Sequence, residues 1–101
     1  MDDIVQNIED WGFERGLFGP NMDNRKAQIF KLKEEFDELV QAYEEHSLEG
    51  QLDAVGDMFV VLCMYAKNLG VNIRLAATHA YLEIKDRQGR TVNGTFIKDQ
   101  A

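Results

Sequence analysis

The sequence predicts an all-α fold, a bundle of four helices that ends in a short C-terminal hairpin or an extended tail. Apolar residues recur at helical spacing in four successive segments, and residues that cap or end helices separate these segments. The chain has 101 residues, of which 45% are hydrophobic and 29% are charged. This size and composition are typical of one globular domain, which we expect to span residues 1–101.

The composition excludes several classes of function. A formal net charge of -7 repels nucleic-acid phosphates and anionic lipid, so we expect no nucleic-acid partner and no membrane partner. One Cys and two His cannot supply an intrachain disulfide or a zinc site. The longest apolar run, Met58–Ala66, is too short to span a bilayer. The N-terminus has no signal-peptide pattern, and these features together predict a cytoplasmic protein.

The first predicted helix begins after a cap at Asp2 or Asp3 and ends near Arg15 and Gly16. Its apolar residues lie on one stripe: Ile4, Val5, Ile8 and Trp11. Glycine, proline and asparagine are frequent from Gly16 to Asn24, which predicts a loop.

The second predicted helix runs from Arg25 to His46 and is strongly amphipathic. Its apolar side chains fall within about 100° of arc at helical pitch, and they are Ile29, Leu32, Phe36, Leu39, Val40 and Tyr43. We therefore expect this stripe to face the core.

The third predicted helix runs from Gln51 to Asn68, after a turn at Ser47–Gly50. Its middle, Met58–Ala66, is apolar on every side, so we expect neighbouring helices or another subunit to cover it. Helix three should then contribute to a subunit interface, which Val61→Asp would dissociate or unfold.

A fourth helix is predicted from a cap at Asn72 to a point before Gly89. Its apolar face carries Ile73, Ala77, Ala80 and Ile84, and the small residues on this face permit close packing. Beyond it, Asn93-Gly94 lies between β-prone segments, which is the sequence signal for a tight hairpin.

Carboxylates on two predicted helices are expected to converge. Glu35 and Glu38 lie on one flank of helix two, and Asp53 and Asp57 lie on one face of helix three. If these helices fold back antiparallel, Asp57 lies level with Glu38. Because Asp57 immediately precedes the apolar run, its carboxylate should be costly there unless it is paired, protonated or bound to a cation.

This convergence favours a site for Mg²⁺ or Mn²⁺, since both prefer hard oxygen ligands. A solvated helix face is the alternative for the glutamates, and a salt bridge to Lys31 or Arg74 is the alternative for Asp57. A di-iron site is excluded because neither His46 nor His79 follows a Glu by three positions. We assign no chemistry to these two histidines, and we expect Cys63 to be a small buried hydrophobe.

The order of four motifs along the chain matches a known pattern. They are Trp11 with Arg15-Gly16, then Gln28 and Lys31 before Glu34-Glu35-Phe36-Asp37-Glu38-Leu39, then Gly56-Asp57 before apolar residues, and Glu83–Arg90 with Asn93-Gly94. This order resembles the short phage and bacterial MazG-like nucleotide pyrophosphohydrolases of the all-alpha NTP pyrophosphatase superfamily. One departure is Ala54, at the position three before Asp57 where the family usually has Glu. Either Asp53 substitutes for that ligand, or the site holds its metal with fewer protein ligands and more water.

The resemblance implies a four-helix MazG-like bundle that hydrolyses NTP or dNTP to the monophosphate and pyrophosphate with Mg²⁺, for which Mn²⁺ can substitute. It implies catalytic roles for Glu34, Glu35 and Glu38, and metal ligands at Glu35, Glu38, Asp53 and Asp57. The implied substrate-binding residues are Lys31, Lys85, Arg87, Trp11, Gln28 and Asn68. It also implies a homodimer or homotetramer, with the tail from Thr91 onward reaching a neighbouring subunit.

Three alternatives remain open from the sequence. The chain could be a non-catalytic, acidic helical module that binds a protein partner, an inactive relative that lost its ligand at Ala54. It could also be a phosphoribosyl-ATP pyrophosphohydrolase, which belongs to the same superfamily and differs in substrate. For Trp11, burial in the core is the commoner role for such a residue, and stacking on a nucleobase is the alternative.

Overall fold

A computed structural model describes residues 3–99, which form four helices followed by a two-stranded antiparallel sheet. The elements are α1 (Ile4–Glu14), α2 (Arg25–Glu44), α3 (Leu48–Asn68), α4 (Ile73–Ile84), β1 (Gly89–Val92) and β2 (Thr95–Lys98). The predicted all-α fold with a short C-terminal hairpin is confirmed.

Side-chain caps set where three of the helices begin. The Asp3 carboxylate accepts hydrogen bonds from two backbone N–H groups of α1, and the Asn72 side chain caps α4. Asp2, the other predicted cap of α1, lies outside the described residues. Ser47 Oγ accepts a hydrogen bond from the Gly50 backbone N–H at 3.0 Å, so α3 begins at Leu48 and not at the predicted Gln51.

The connection between α2 and α3 is correspondingly shorter than predicted. Helix α2 ends at Glu44, and His46, which was predicted to be its last residue, has φ of 57° in the left-handed region. Residues 48–50, predicted as part of a turn, are helical. A turn this tight makes α2 and α3 antiparallel neighbours, as the convergence of their carboxylates requires.

Helix α3 lies at the centre of the fold and contacts each of the other three helices. Cys63 and Met64 on α3 are fully buried and pack with Phe18 from the loop after α1. The prediction that Cys63 is buried is therefore confirmed. Helix α1 approaches closely because its contact residue is Gly12, where a Cβ would clash with the Met64 side chain.

Helix α2 turns a different face inward from the one that its apolar stripe predicts. The buried residues of α2 are Gln28, Glu35 and Ala42, whereas much of the apolar stripe is exposed, including Ile29, Phe36, Val40 and Tyr43. The prediction that the stripe faces this chain's core is wrong. A polar face lies against α3, because the carboxylate site is on that side.

The C-terminal part is folded but contributes little to the core, where only Ile73 among its described residues packs against the buried cluster. Strands β1 and β2 pair in the register Gly89↔Lys98 to Val92↔Thr95. Asn93 and Gly94 form the predicted turn with φ of 51° and 82°. No residue of α4 is buried, so the predicted close packing of its small residues does not occur within one chain.

Val61 also differs from its predicted role. Its side chain is only 6% exposed and lies inside the chain, whereas Leu62 and Phe59 on the same helix are exposed. Val61→Asp would therefore disturb the core of one chain and is not a test of an interface.

Within residues 3–99, no helix taken singly has both the length and the apolar composition needed to cross a membrane. Helices α3 and α4 meet that test only as a pair, with a bend of 100° between them.

Candidate functional site

Three carboxylates converge between α2 and α3. Glu35 and Glu38 come from α2 and Asp57 comes from α3, and one oxygen atom of each lies within 4.8 Å of the other two. They meet because Glu35 and Glu38 are one helical turn apart and α3 runs antiparallel alongside. Three oxygen donors at this spacing could hold a divalent cation.

Glu35 is the buried member of this acidic cluster. Its side chain is 6% exposed, and Glu35 Oε2 is a buried atom with no hydrogen-bond partner in residues 3–99. The other oxygen, Oε1, lies 3.4 Å from Lys31 Nζ. Because a buried carboxylate oxygen without a partner is costly, the site fits a cation that would satisfy it.

Asp57 is exposed, which corrects the prediction that it is a carboxylate embedded in apolar surroundings. Partial desolvation, followed by the negative charges of Glu35 and Asp53, raises the pKa of Asp57 above its ordinary value. A cation among these groups would relieve that repulsion. The negative charge of Asp53 acts on Asp57, but Asp53 is not among the three residues whose oxygen atoms converge.

Lys31 is the basic residue beside the cluster. Its Nζ lies 3.4 Å from Glu34 Oε2 and 3.4 Å from Glu35 Oε1. Hydrogen bonds to Glu34 and Glu35 raise the pKa of Lys31, which keeps it protonated. Glu34 is exposed and contacts Lys31, and it does not belong to the converging group.

An open cleft of about 570 Å³ adjoins the cluster. Its polar lining includes Gln28, Lys31, Glu35 and Asp57, and Trp11 forms part of its wall. An adjoining cleft of about 390 Å³ shares Trp11 and Asp57 and adds residues of α1. A charged floor beside an aromatic wall is an arrangement that can hold a ligand with both a phosphate part and a ring.

Trp11 is not a core residue, although burial is the commoner role for such a side chain. It is 43% exposed, and the guanidinium of Arg15 lies 4.7 Å from the centre of its ring. The backbone oxygen of Trp11 also accepts a hydrogen bond from Arg15 Nη1 at 3.0 Å. Arg15 thus holds the aromatic wall by a cation–π contact and a hydrogen bond.

Asn68 has a structural role in this chain. Its Oδ1 accepts a hydrogen bond from the Asn24 backbone N–H at 2.9 Å, and its Nδ2 donates to the carbonyl oxygens of Leu17 and Met64 at 3.0 and 2.9 Å. The amide therefore fastens the loop before α2 to the end of α3. It is not among the residues that line the two clefts.

The structure does not bring Lys85 and Arg87 to the acidic cluster of the same chain. Lys85 Nζ lies 3.2 Å from Asp86 Oδ2, and Arg87 lines a separate cleft with Ile84, Phe96 and Lys98. Both positions follow α4, which departs from the three-helix core.

The sequence reasoning missed one buried carboxylate, Glu9 on α1, which is 5% exposed. Its position was visible in the spacing, since Val5, Glu9 and Gly12 recur at helical intervals and are the buried residues of this helix. The predicted apolar stripe includes Ile4 and Trp11 instead, and both are exposed.

Comparison with known proteins adds a family to this geometry. Residues 14–80 match the family described as phosphoribosyl-ATP pyrophosphohydrolase, a range that contains the acidic cluster but neither Trp11 nor the hairpin. The chain is also 33% identical over 67 residues to an uncharacterized 18.2 kDa protein in the rep-hol intergenic region of Haemophilus phage HP1 (strain HP1c1). That alignment covers 66% of this chain and 40% of the phage protein.

No solved structure matches the chain significantly. The matched family is metal-dependent, in agreement with the acidic cluster, and it belongs to the same all-alpha NTP pyrophosphatase superfamily as MazG. The chain belongs to the phosphoribosyl-ATP pyrophosphohydrolase family, whose members are hydrolases that act on phosphoric anhydride bonds.

Proposed function

We propose that this protein is a Mg²⁺-dependent pyrophosphohydrolase that converts an NTP or dNTP and water to the monophosphate and pyrophosphate. The observation that carries the proposal is the convergence of Glu35, Glu38 and Asp57 within 4.8 Å beside a cleft walled by Trp11. The family supports the class of reaction, and the order of the motifs favours the MazG-like branch. Mn²⁺ should substitute, because it accepts the same oxygen ligands.

Glu35, Glu38 and Asp57 would hold the metal. When bound, Mg²⁺ neutralises charge on the phosphate oxygens and lowers the pKa of bound water. Glu38 is exposed and has two carboxylate oxygens, so one can accept a hydrogen bond from the attacking water and orient it. We propose that water molecules complete the coordination that Ala54 does not supply, with Asp53 acting at longer range.

The cleft residues would bind the substrate. Lys31 remains protonated and would contact the phosphate chain, and Glu34 would hold the lysine in place. Gln28, which is buried at the cleft wall, offers an amide that both donates and accepts hydrogen bonds. The exposed ring of Trp11 would stack on the nucleobase.

A triphosphate needs more positive charge than the clefts of one chain provide. Among residues 3–99, Lys31 is the cationic residue that lines the larger cleft, and the adjoining cleft has none in its lining. Lys85 and Arg87 lie on the exposed C-terminal part, so we propose that a second copy brings them to the site. The protein would then act as a homodimer or homotetramer.

A substrate panel tests the proposal. The common NTPs and dNTPs are incubated with the protein and Mg²⁺, Mn²⁺ or EDTA, and pyrophosphate is measured as phosphate after adding inorganic pyrophosphatase. Metal-dependent release of one pyrophosphate per monophosphate is expected. No release from any nucleotide with either metal would contradict the proposal.

Phosphoribosyl-ATP is a second candidate substrate, because the matched family bears that description. The same assay decides between the substrates when phosphoribosyl-ATP is added to the panel, through the ratio of kcat/KM values. Absence of hydrolysis, together with no metal-dependent rise in Tm, would favour the acidic binding module instead.

A further inference from the structure

The caps of α1 and α4 are joined to each other. Asp3, the cap of α1, pairs with the guanidinium of Arg74 in the first turn of α4. Asn72, the cap of α4, accepts a hydrogen bond from the Arg74 backbone N–H through Oδ1 at 2.7 Å and donates one through Nδ2 to Glu9 Oε2 at 2.8 Å. We call these four residues the cap tie.

Glu9 is the unusual member of the cap tie, because its carboxylate is 5% exposed and lies on the core side of α1. Burial, followed by the charge of Glu9, raises the pKa of the Cys63 thiol on α3. A buried carboxylate destabilises a fold unless hydrogen bonds or opposite charges compensate it. Here the compensation comes from Asn72 and, through its charge, from Arg74.

Another side of α1 carries the aromatic wall of the clefts. Asn7, Ile8 and Trp11 line the clefts on that side and face Asp57 and Val60 on α3. A helix is rigid over this length, so the contacts that fix one side of α1 also fix the position of Trp11.

Apolar and polar contacts both hold α1 against the rest of the fold, and the cap tie is the polar set. The C-terminal half is fastened by the contact of Gly12 with Met64 and by Phe18. Toward the N-terminus, the polar contacts of α1 with α4 are the hydrogen bond from Asn72 to Glu9 and the pair of Arg74 with Asp3. Loss of these bonds would leave α1 held by its apolar contacts alone, which are not directional.

We propose that Glu9 is a positioning residue that acts through Asn72 to hold α1 against the bundle, with Trp11 at the correct distance from the acidic cluster. The substrate-binding consequence rests on the proposed function, whereas the position of α1 does not. Glu9 itself does not touch the substrate, and nothing in the family match accounts for it, because residues 14–80 exclude it.

The sequence supplies two reporters of the position of α1. Trp11 is the single tryptophan, so its fluorescence reports on the cleft wall, and Cys63 is the single cysteine and is fully buried. Movement of α1 away from α3 changes the Trp11 emission maximum and exposes Cys63 to a thiol reagent. Both measurements are independent of hydrolysis.

The decisive variant is Asn72→Asp in the full chain. Aspartate retains the side-chain oxygen that caps α4 but places a second carboxylate against Glu9. Because repulsion replaces a buried hydrogen bond, we expect the Trp11 emission maximum to shift and the reactivity of Cys63 to increase about tenfold or more. KM should rise about tenfold, with kcat nearly unchanged. Helical circular dichroism should remain that of the wild type.

The double variant Glu9→Gln with Asn72→Asp provides the rescue. It exchanges donor and acceptor, so the glutamine amide can donate to the new carboxylate, and both spectroscopic readouts should return toward wild type. Asn72→Ser keeps a capping oxygen and removes the hydrogen bond to Glu9 without adding repulsion, so it should increase Cys63 reactivity by a smaller factor. This variant tests the proposal if Asn72→Asp does not fold.

The proposal would be overturned if a folded Asn72→Asp protein had the Trp11 emission and Cys63 reactivity of the wild type. If that variant unfolds, the same result in Asn72→Ser would overturn it. Failure of the double variant to rescue would also overturn it. If no nucleotide is hydrolysed by the wild type, the proposed function fails, while the two spectroscopic readouts still decide the role of Glu9.

Discussion

The three-helix core formed by α1, α2 and α3 and the C-terminal part formed by α4, β1 and β2 differ in what they bury. Among the described residues, all the buried ones lie between Val5 and Ala66. Helix α4 and both strands contain none. The C-terminal part nevertheless exposes large apolar side chains, namely Leu75, Tyr81, Leu82, Ile84, Val92, Phe96 and Ile97.

The three-helix core is stabilised by its own buried residues, whereas the C-terminal part needs an apolar partner outside itself. A two-stranded hairpin is at best marginally stable without a hydrophobic partner, and apolar patches of this kind mark interaction surfaces. The exposed stripe of α2 and the exposed Phe59 and Leu62 of α3 offer apolar surface on the other part. The simplest partner is a second copy, as the proposed function also requires.

The largest expected effect comes from the acidic cluster of the three-helix core. Glu38→Gln should reduce turnover by about 100-fold or more, because it removes a charge that holds the metal and orients water. Helical circular dichroism should not change. Asp37→Asn is the matched control: its carboxylate contacts Lys33 Nζ at 3.1 Å and is exposed, so activity should be retained. Near-normal turnover of Glu38→Gln would contradict the role of the acidic cluster in hydrolysis.

A mixing experiment tests whether the C-terminal part of one chain contributes residues to the acidic cluster of another. Arg87→Ala should raise KM strongly, and Glu38→Gln should be inactive. After mixing and reassembly, activity should recover to about a quarter of wild type, the share of intact sites that random pairing in a dimer gives.

Mixing Glu38→Gln with Glu35→Gln is the control, since both defects lie in the same cluster and no pairing creates an intact site. No recovery with Arg87→Ala would show that each chain contains its own complete site, whereas recovery in the control would show that the acidic cluster itself draws residues from two chains.

The apolar surface of α4 gives the next effect. Leu82 is 58% exposed in one chain, so Leu82→Asp should dissociate the oligomer in light scattering at micromolar concentration and leave the helices intact. Val61→Asp should instead unfold the chain, because Val61 is buried. An active oligomer of unchanged mass in Leu82→Asp would contradict an interface through α4.

The close approach of α1 to α3 gives an effect on stability. Gly12→Ala should lower the free energy of unfolding by about 1–3 kcal/mol, because its Cβ would overlap the buried Met64 side chain. Gly56→Ala on α3 is the matched control. Nothing lies within 4 Å of its Cβ position, so this helix-interior substitution should raise stability by about 0.5–1 kcal/mol. Thermal unfolding measures both, and equal effects would argue against the tight contact.

The smallest expected effect is on the protein without metal. Asp57→Asn removes one of three crowded negative charges, so in EDTA its Tm should be slightly above that of the wild type. Adding Mg²⁺ should raise the Tm of the wild type more than that of the variant, because the variant has lost a ligand. A variant that is less stable in EDTA would show that Asp57 is held by structural bonds and not repelled.

The helices and the hairpin of this fold are predictable from the sequence, because the signals for them are local. Asp3 and Asn72 cap their helices with their own side chains, and Asn93-Gly94 forms a turn whose left-handed φ values those residues readily adopt. The meeting of Glu38 and Asp57 was also predictable, because a tight connection between two long helices leaves little choice of register.

The faces of these helices that become buried are not predictable from local signals. Periodicity indicated that α2 has an apolar stripe but not what lies against it, and the chain turns Gln28, Glu35 and Ala42 inward. Likewise, the sequence predicted apolar surroundings for Asp57, whereas the buried member of the acidic cluster is Glu35. The physical reason is that burial depends on contacts between elements distant in sequence, and an apolar stripe left exposed on one chain has the same pattern as one that faces the core.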